Sequence, residues 1–133
     1  ASSGRASVDA LFSGQKGLER HFRGIVTADD VRSGKPAPDG YLKAHRRSGY
    51  QAGSILTMED SLAGLQASRA AGLCCLLTPS PWEAELAASF NEAAAAFDHL
   101  GDPDRPMHQL SGPPCAGAKV TVEYLRSLLD QRR

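Results

Sequence analysis

Lys35 stands between Gly34 and Pro36 in the stretch VRSGKPAPDGYLKA. Two prolines and a glycine turn leave that backbone little freedom. An ammonium group presented from so stiff a loop can be aimed. As a compact point charge it suits a phosphate oxygen and can neutralise a neighbouring carboxylate. Twenty-four positions later, MEDSLAG sets Glu59 and Asp60 side by side. Adjacent carboxylates repel unless a cation lies between them. Hard oxygen donors suit Mg²⁺, which takes a few carboxylates and keeps several waters. At the start of the chain, Ser2 brings a hydroxyl next to the amides of an expected helix N-terminus, where a phosphate oxygen can be held. Each feature also has a plain reading when taken singly. The lysine is then a solvated loop residue, the serine an N-cap, and the acids favour the start of the helix at Ser61.

These residues matter together only if the fold brings them to one place. The pattern predicts a helix over residues 3–13, capped by Ser2 or Ser3, with Val8, Leu11 and Phe12 at helical spacing. A short apolar strand is expected at residues 25–26, then an acidic turn and a loop at 32–38. Pro38 and Asp39 suit the first turn of a helix that Gly49 stops, with Tyr41, Leu42, Ala44 and His45 on its inner side. A buried strand follows at 54–58, with the carboxylate pair at its C-terminal end. Next come a helix from Ser61 to a Gly72 stop, with Leu62, Leu65 and Ala70 facing inward, and a strand over 73–78. Residues 82–96 read as an Ala-rich helix, 96–100 as a short edge strand, 101–117 as an irregular connector, and 120–133 as an amphipathic helix. Strands alternating with helices predict an α/β fold with a Rossmann-like parallel sheet and flanking helices. In such sheets ligands collect outside the carboxyl ends of the strands, which is where Glu59 and Asp60 fall and where the Lys35 loop can reach.

Composition narrows the partners. Lys and Arg number 15 and so do Asp and Glu, so the formal net charge is zero, and nothing electrostatic favours nucleic acid or an anionic membrane. No apolar run approaches the roughly 20 residues of a membrane helix. The opening ASSGRASVDALF lacks the pattern of a signal peptide. It starts with Ala rather than Met, which fits a fragment or a processed product. Cys74, Cys75 and Cys115 are an odd set without CxxC spacing. They read as free thiols in a reducing, cytoplasmic setting, or a plastid stroma if the source is a photosynthetic eukaryote.

The strings IVTADDVRSGKPAPDGYLKA and ILTMEDSLAGLQASRAAGL resemble the haloacid dehalogenase-like hydrolases, in particular the subgroup of beta-phosphoglucomutases, phosphoglycolate phosphatases and CbbY proteins. FDHLGDPDRP and VTVEYLRSLL are similar to the C-terminal end of CbbY proteins. The resemblance implies that Ser2 or Ser3 holds a phosphate oxygen, that Lys35 steadies the phosphoryl group and the nucleophile, and that Glu59 and Asp60 bind Mg²⁺. Ser61 is expected to cap its helix, and Arg32 and Asp39 to be structural. It also implies a small phosphorylated sugar or other organophosphate as substrate. The family attacks phosphorus with an aspartate of a DxD motif on its first strand, and a helical cap domain precedes the hydroxyl motif. The one DxD here, Asp102-Pro103-Asp104, lies after the carboxylate pair and reads as loop. Residues 1–133 are therefore expected to be the C-terminal portion of such a core, without its first strand and cap and inactive alone. Exposed strand edges would then be met by self-association or by a complementing N-terminal segment. A phosphosugar mutase and a non-catalytic remnant acting as an interaction module stay open as alternatives.

Overall fold

The computed structural model describes residues 4–131. Its helices and strands are α1 (Arg5–Gly14), α2 (Asp39–Ser48), β1 (Leu56–Glu59), α3 (Leu62–Ala70), β2 (Cys74–Leu77), β3 (Ala95–Phe97), β4 (Gln109–Ser111) and α4 (Val122–Asp130). The strands form one sheet in the order β1-β2-β3-β4. β1 lies parallel to β2, with Leu56 opposite Cys74 and Glu59 opposite Leu77. β3 continues the parallel run, Leu76 facing Ala95, and β4 closes the far side antiparallel.

Period-two alternation explains the layers. On β2, Cys74 and Leu76 point into a core with Ala95, Phe97, Tyr124 and Leu128, which seats α4 on one face. Cys75 and Leu77 point the other way, to Leu65 of α3, Leu86 and Ala96. Both faces of β2 are thus covered, and all four of its residues are buried, the condition in which a parallel strand reads as a continuous apolar run. Phe97 and Tyr124 meet edge to face at 5.7 Å between ring centroids. A third cluster of Tyr41, Ala67 and Leu73 fastens α2 against α3.

Caps set the helix ends. The Ser61 hydroxyl accepts the Gly64 N–H at 3.2 Å, as its position before the apolar run predicts, and Thr121 caps α4 in the same way. Gly49 takes the left-handed conformation that ends α2 (φ 73°), and Gly72 (φ 74°) follows α3. Asp39 accepts the Ser33 N–H at 3.3 Å, so it does hold the loop ahead of its helix.

Several sequence expectations need correction. Residues 25–26 add no strand to the sheet; Val26 is buried, and a short 3-10 turn follows at Ala28–Asp30. The strand expected at 54–58 runs Leu56–Glu59, so Glu59 is its last residue rather than the one beyond. Ala70 is exposed, and Gly64, Leu65, Ala67 and Ser68 are the buried positions of α3. Residues 82–96 form no α-helix. Ala84–Glu92 are 3-10 turns, and Ala95–Phe97 form β3. That strand is interior, not an edge, because β4 emerges from the expected connector and pairs with it. Gly112 (φ 99°) lets this connector return, and a Cβ there would press on Ala95 at 2.7–2.8 Å.

Candidate functional site

The loop carrying Lys35 and the end of β1 meet. The Lys35 ammonium donates to Oε1 of Glu59, forming an ion pair. The Tyr41 hydroxyl, from the first turn of α2, donates to the same oxygen. Glu59 is only 6% exposed. A carboxylate so placed needs partners to offset its lost hydration, and Lys35 and Tyr41 supply them. Lys35 stays part-exposed, 5.7 Å from the Tyr41 ring centroid, within cation–π range. Burial, then the hydrogen bond to Glu59 and its charge, push the Tyr41 phenol far above its ordinary value, with smaller contributions from Cys75 and Asp60.

Gly64 completes this arrangement. The Glu59 carboxylate lies against the first turn of α3, and a Cβ on Gly64 would collide with it. The glycine of MEDSLAG is thus the position where the helix start must give way to the acid. Asp60, one residue on, is exposed. The acidic pair therefore divides, one carboxylate buried and already bonded, the other open to solvent. The backbone carbonyls of both fix the loop after β2, with Thr78 donating to Glu59 at 2.8 Å and Ser80 to Asp60 at 2.9 Å. Trp82 on that loop is 90% exposed, and Glu83 accepts the Leu62 N–H at 3.3 Å.

Thr27, Val31, Ser33, Lys35, Ala37 and Tyr41 line a partly open cavity of about 30 Å³ at the lysine loop. That is room for a water or two, not for a sugar phosphate. The loop's far end is tied by Asp30, whose Oδ2 accepts the Thr27 amide (2.8 Å) and hydroxyl (2.9 Å). Arg5 of α1 reaches the same atom at 3.1 Å. These bonds, led by the Thr27 amide, hold Asp30 below the usual carboxylate range.

Of the residues expected to form a site, Lys35, Glu59 and Asp60 are described and lie around the carboxyl end of β1, while Ser2 and Ser3 fall outside the described residues. The sequence pattern places Tyr41 only on the inner side of its helix and Gly64 only within the helix that follows the carboxylate pair. The signal for Tyr41 was its type, since a buried phenol needs a partner for its hydroxyl. Among the described residues no group of three or more His, Cys, Asp or Glu side chains forms a metal cage. The donor set nonetheless suits a hard cation in part: Asp60 offers exposed carboxylate oxygens, and Mg²⁺ binds through one or two carboxylates with water completing its shell. Asp102 and Asp104 are exposed on a turn closed by mutual backbone bonds between Asp102 and Arg105.

Parallel strands, covering helices on both faces and a charged rim at the carboxyl ends define a Rossmann-like α/β core. Residues 1–78 match the family of haloacid dehalogenase-like hydrolases, and the chain belongs to that family. The plasmid-encoded protein CbbY of Cupriavidus necator is 42% identical over 106 residues, covering 78% of this chain and 41% of that protein. Protein CbbY of Rhodobacter capsulatus is 45% identical over 80 residues, 59% of this chain and 35% of its own length. The fructose-1-phosphate phosphatase YqaB of Escherichia coli is 44% identical over 57 residues, 43% of this chain and 30% of that enzyme. A solved HAD hydrolase (family IA, variant 3) from Entamoeba histolytica superposes with a TM-score of 0.68 over 96% of this chain and 51% of its own. At 22% identity that likeness speaks for the fold alone. The chain spans less than half the length of these curated relatives.

Proposed function

We propose that this chain is the C-terminal portion of the core of a Mg²⁺-dependent phosphatase of the CbbY kind, acting on a small sugar phosphate or similar organophosphate. The observation that carries this reading is the Lys35–Glu59 ion pair beside exposed Asp60 at the carboxyl end of β1, in a chain of this family. Fructose-1-phosphate phosphatase activity in the name of one relative supports the substrate class.

In this reading each residue has one task. Lys35 holds its ammonium toward the phosphoryl oxygens and offsets their charge. Glu59 stays buried and fixes that ammonium. Asp60, with Glu59 behind it, would hold Mg²⁺, which when bound would neutralise phosphoryl charge and orient the group for in-line attack. Ser2 or Ser3 would take a phosphate oxygen. The attacking aspartate would come from a segment outside residues 1–133, and the substrate would lie on the open rim rather than in the small cavity at the loop.

The sheet supports a complementing segment. Among the described residues β1 is an edge strand, paired with β2 alone. Beside it runs a groove lined by Tyr41, Ala44, Tyr50, Ile55, Leu56 and Met58, with Met58 45% exposed. An open edge with apolar flanks invites a further strand, from such a segment or from a second copy. The three free cysteines fit a reducing compartment, here proposed as the cytoplasm or a plastid stroma.

The test is hydrolysis of a panel of small sugar phosphates by the pure chain with Mg²⁺, alongside a Mg²⁺ titration followed by NMR. The expected outcome is no appreciable turnover, with Mg²⁺ shifting the Asp60 resonances. Robust turnover lost in Asp60→Asn overturns the fragment reading. Mg²⁺ that leaves Asp60 unmoved overturns its role as a ligand.

A further inference from the structure

We infer that Tyr41 is a positioning residue of this rim: through its hydroxyl it locks the Glu59 carboxylate, and through that carboxylate it holds the Lys35 ammonium in place. This deepens the proposed function, since it rests on reading Lys35 as the group that faces phosphate.

A lysine on a loop has a flexible four-carbon stem and a strongly hydrated head. Left to itself the ammonium samples many positions. A pair with another mobile side chain would restrain it little, which is why most exposed ion pairs contribute almost nothing. Glu59 is not such a partner. One carboxylate oxygen receives both Lys35 and Tyr41. The other side of the carboxylate is stopped by the backbone of Gly64. The acid is therefore confined by a donor on α2 and by the first turn of α3, two elements that pack on each other through Tyr41, Ala67 and Leu73.

Tyr41 touches both members of the ion pair. Its hydroxyl bonds Glu59, and its ring lies 5.7 Å from the Lys35 ammonium. It also stands six residues after Lys35, where the loop has become helix. The same residue thus anchors the loop's exit, the carboxylate and the ammonium. Phe at this position would preserve the ring and the packing but leave Lys35 as the carboxylate's remaining donor on that oxygen.

The experiment follows the four lysine ammonium groups of the ¹⁵N-lysine-labelled chain by NMR at low temperature and mildly acidic pH. Only ammonium groups held in hydrogen bonds exchange slowly enough to be seen there. Lys43, which donates to the Asp30 carbonyl at 2.6 Å, is the internal control on the same helix. In the parent the Lys35 and Lys43 signals are expected, and in Tyr41→Phe the Lys35 signal is lost while Lys43 persists. A Lys35 signal unchanged in Tyr41→Phe overturns the proposal, as does joint loss of both signals, which marks general loosening. A second measurement does not depend on that variant. In the chain labelled with fluorotyrosine, Lys35→Met is expected to shift the Tyr41 fluorine resonance and leave Tyr124 in place; an unmoved Tyr41 overturns the proposal. Titration with inorganic phosphate tests the underlying reading separately. A Lys35 ammonium that ignores phosphate removes the phosphate-facing role, while the comparison with Lys43 still decides whether Tyr41 holds it.

Discussion

At the scale of single residues, the feature that governs the rim is a buried carboxylate with two donors on one oxygen. The Tyr41 phenol is raised well above its ordinary value of about 10 by burial and by Glu59. Its contribution to stability is therefore complete below pH ~10, where the unfolded chain keeps its phenol protonated too. Above that pH the unfolded state ionises while the folded state does not, and stability falls by about 1.4 kcal/mol per pH unit for this group. Tyr41→Phe should remove that slope. Tyr124 is also raised, chiefly by burial, and keeps its own slope in both proteins. The difference between parent and variant thus isolates Tyr41. Urea denaturation from pH 8 to 11 should show the variant less stable by roughly 1.5–3 kcal/mol at pH 8, the range for a hydrogen bond to a charged group. The gap should narrow as pH rises above 10. A gap constant across that range would mean the phenol does not face the carboxylate.

At the scale of elements, the turn from β1 into α3 is built around Gly64. Helix propensity alone favours Ala there by about 1 kcal/mol. The structure argues the opposite sign, because a Cβ at this position would strike the Glu59 carboxylate. That carboxylate cannot swing aside without leaving Tyr41 and Lys35. Gly64→Ala should therefore destabilise by about 1–3 kcal/mol, the usual cost of overpacking. Gln66→Ala, at an exposed position of the same helix, should be near neutral by urea denaturation. The Thr27–Asp30 turn gives a prediction on the acid side. Asp30 is held below its usual range, so its stabilisation is present above the ordinary carboxylate value of about 4 and is lost as pH falls through its lowered one. The stability difference between the parent and Asp30→Asn should shrink steadily between pH 5 and 2. How legible these elements were follows the same physics. GKPAPD and MEDS declared themselves through turn chemistry and paired charge; the first lies in the expected loop, and the strand before the second runs one residue further than expected, through Glu59. Strand β3 did not, because Ala95 and Ala96 carry no strand propensity. Small size lets β3 fit between β2 and β4 with no exposure, and tertiary packing overrode the Ala-rich pattern. Tyr41 and Gly64 were hidden for a related reason. Each looks like ordinary helix packing until the neighbouring strand supplies a carboxylate.

At the scale of the whole molecule, protection is concentrated in the middle of the sheet and thins toward β1. β2 and β3 are buried along their full lengths, whereas β1 is covered on one edge and exposes Met58. The cysteines report on this gradient. Cys74 and Cys75 project from β2 into opposite cores, each only 2% exposed, and burial raises the Cys75 thiol above its ordinary value. Cys115 is half-buried in the connector after β4, with its thiol raised by a milder loss of solvent. Reactivity requires both access and thiolate. Opening β2 means parting two cores at once, so Cys74 and Cys75 should be reached only by global unfolding. Cys115 needs only local opening of its connector. Iodoacetamide at pH 8, read by intact mass, should thus add one label early, at Cys115. Two more should appear together, at the urea concentration where the fold is lost. If Cys74 or Cys75 were labelled ahead of that transition, β2 would not be the centre of the protected core, and the sheet order placing β1 at the edge would be wrong.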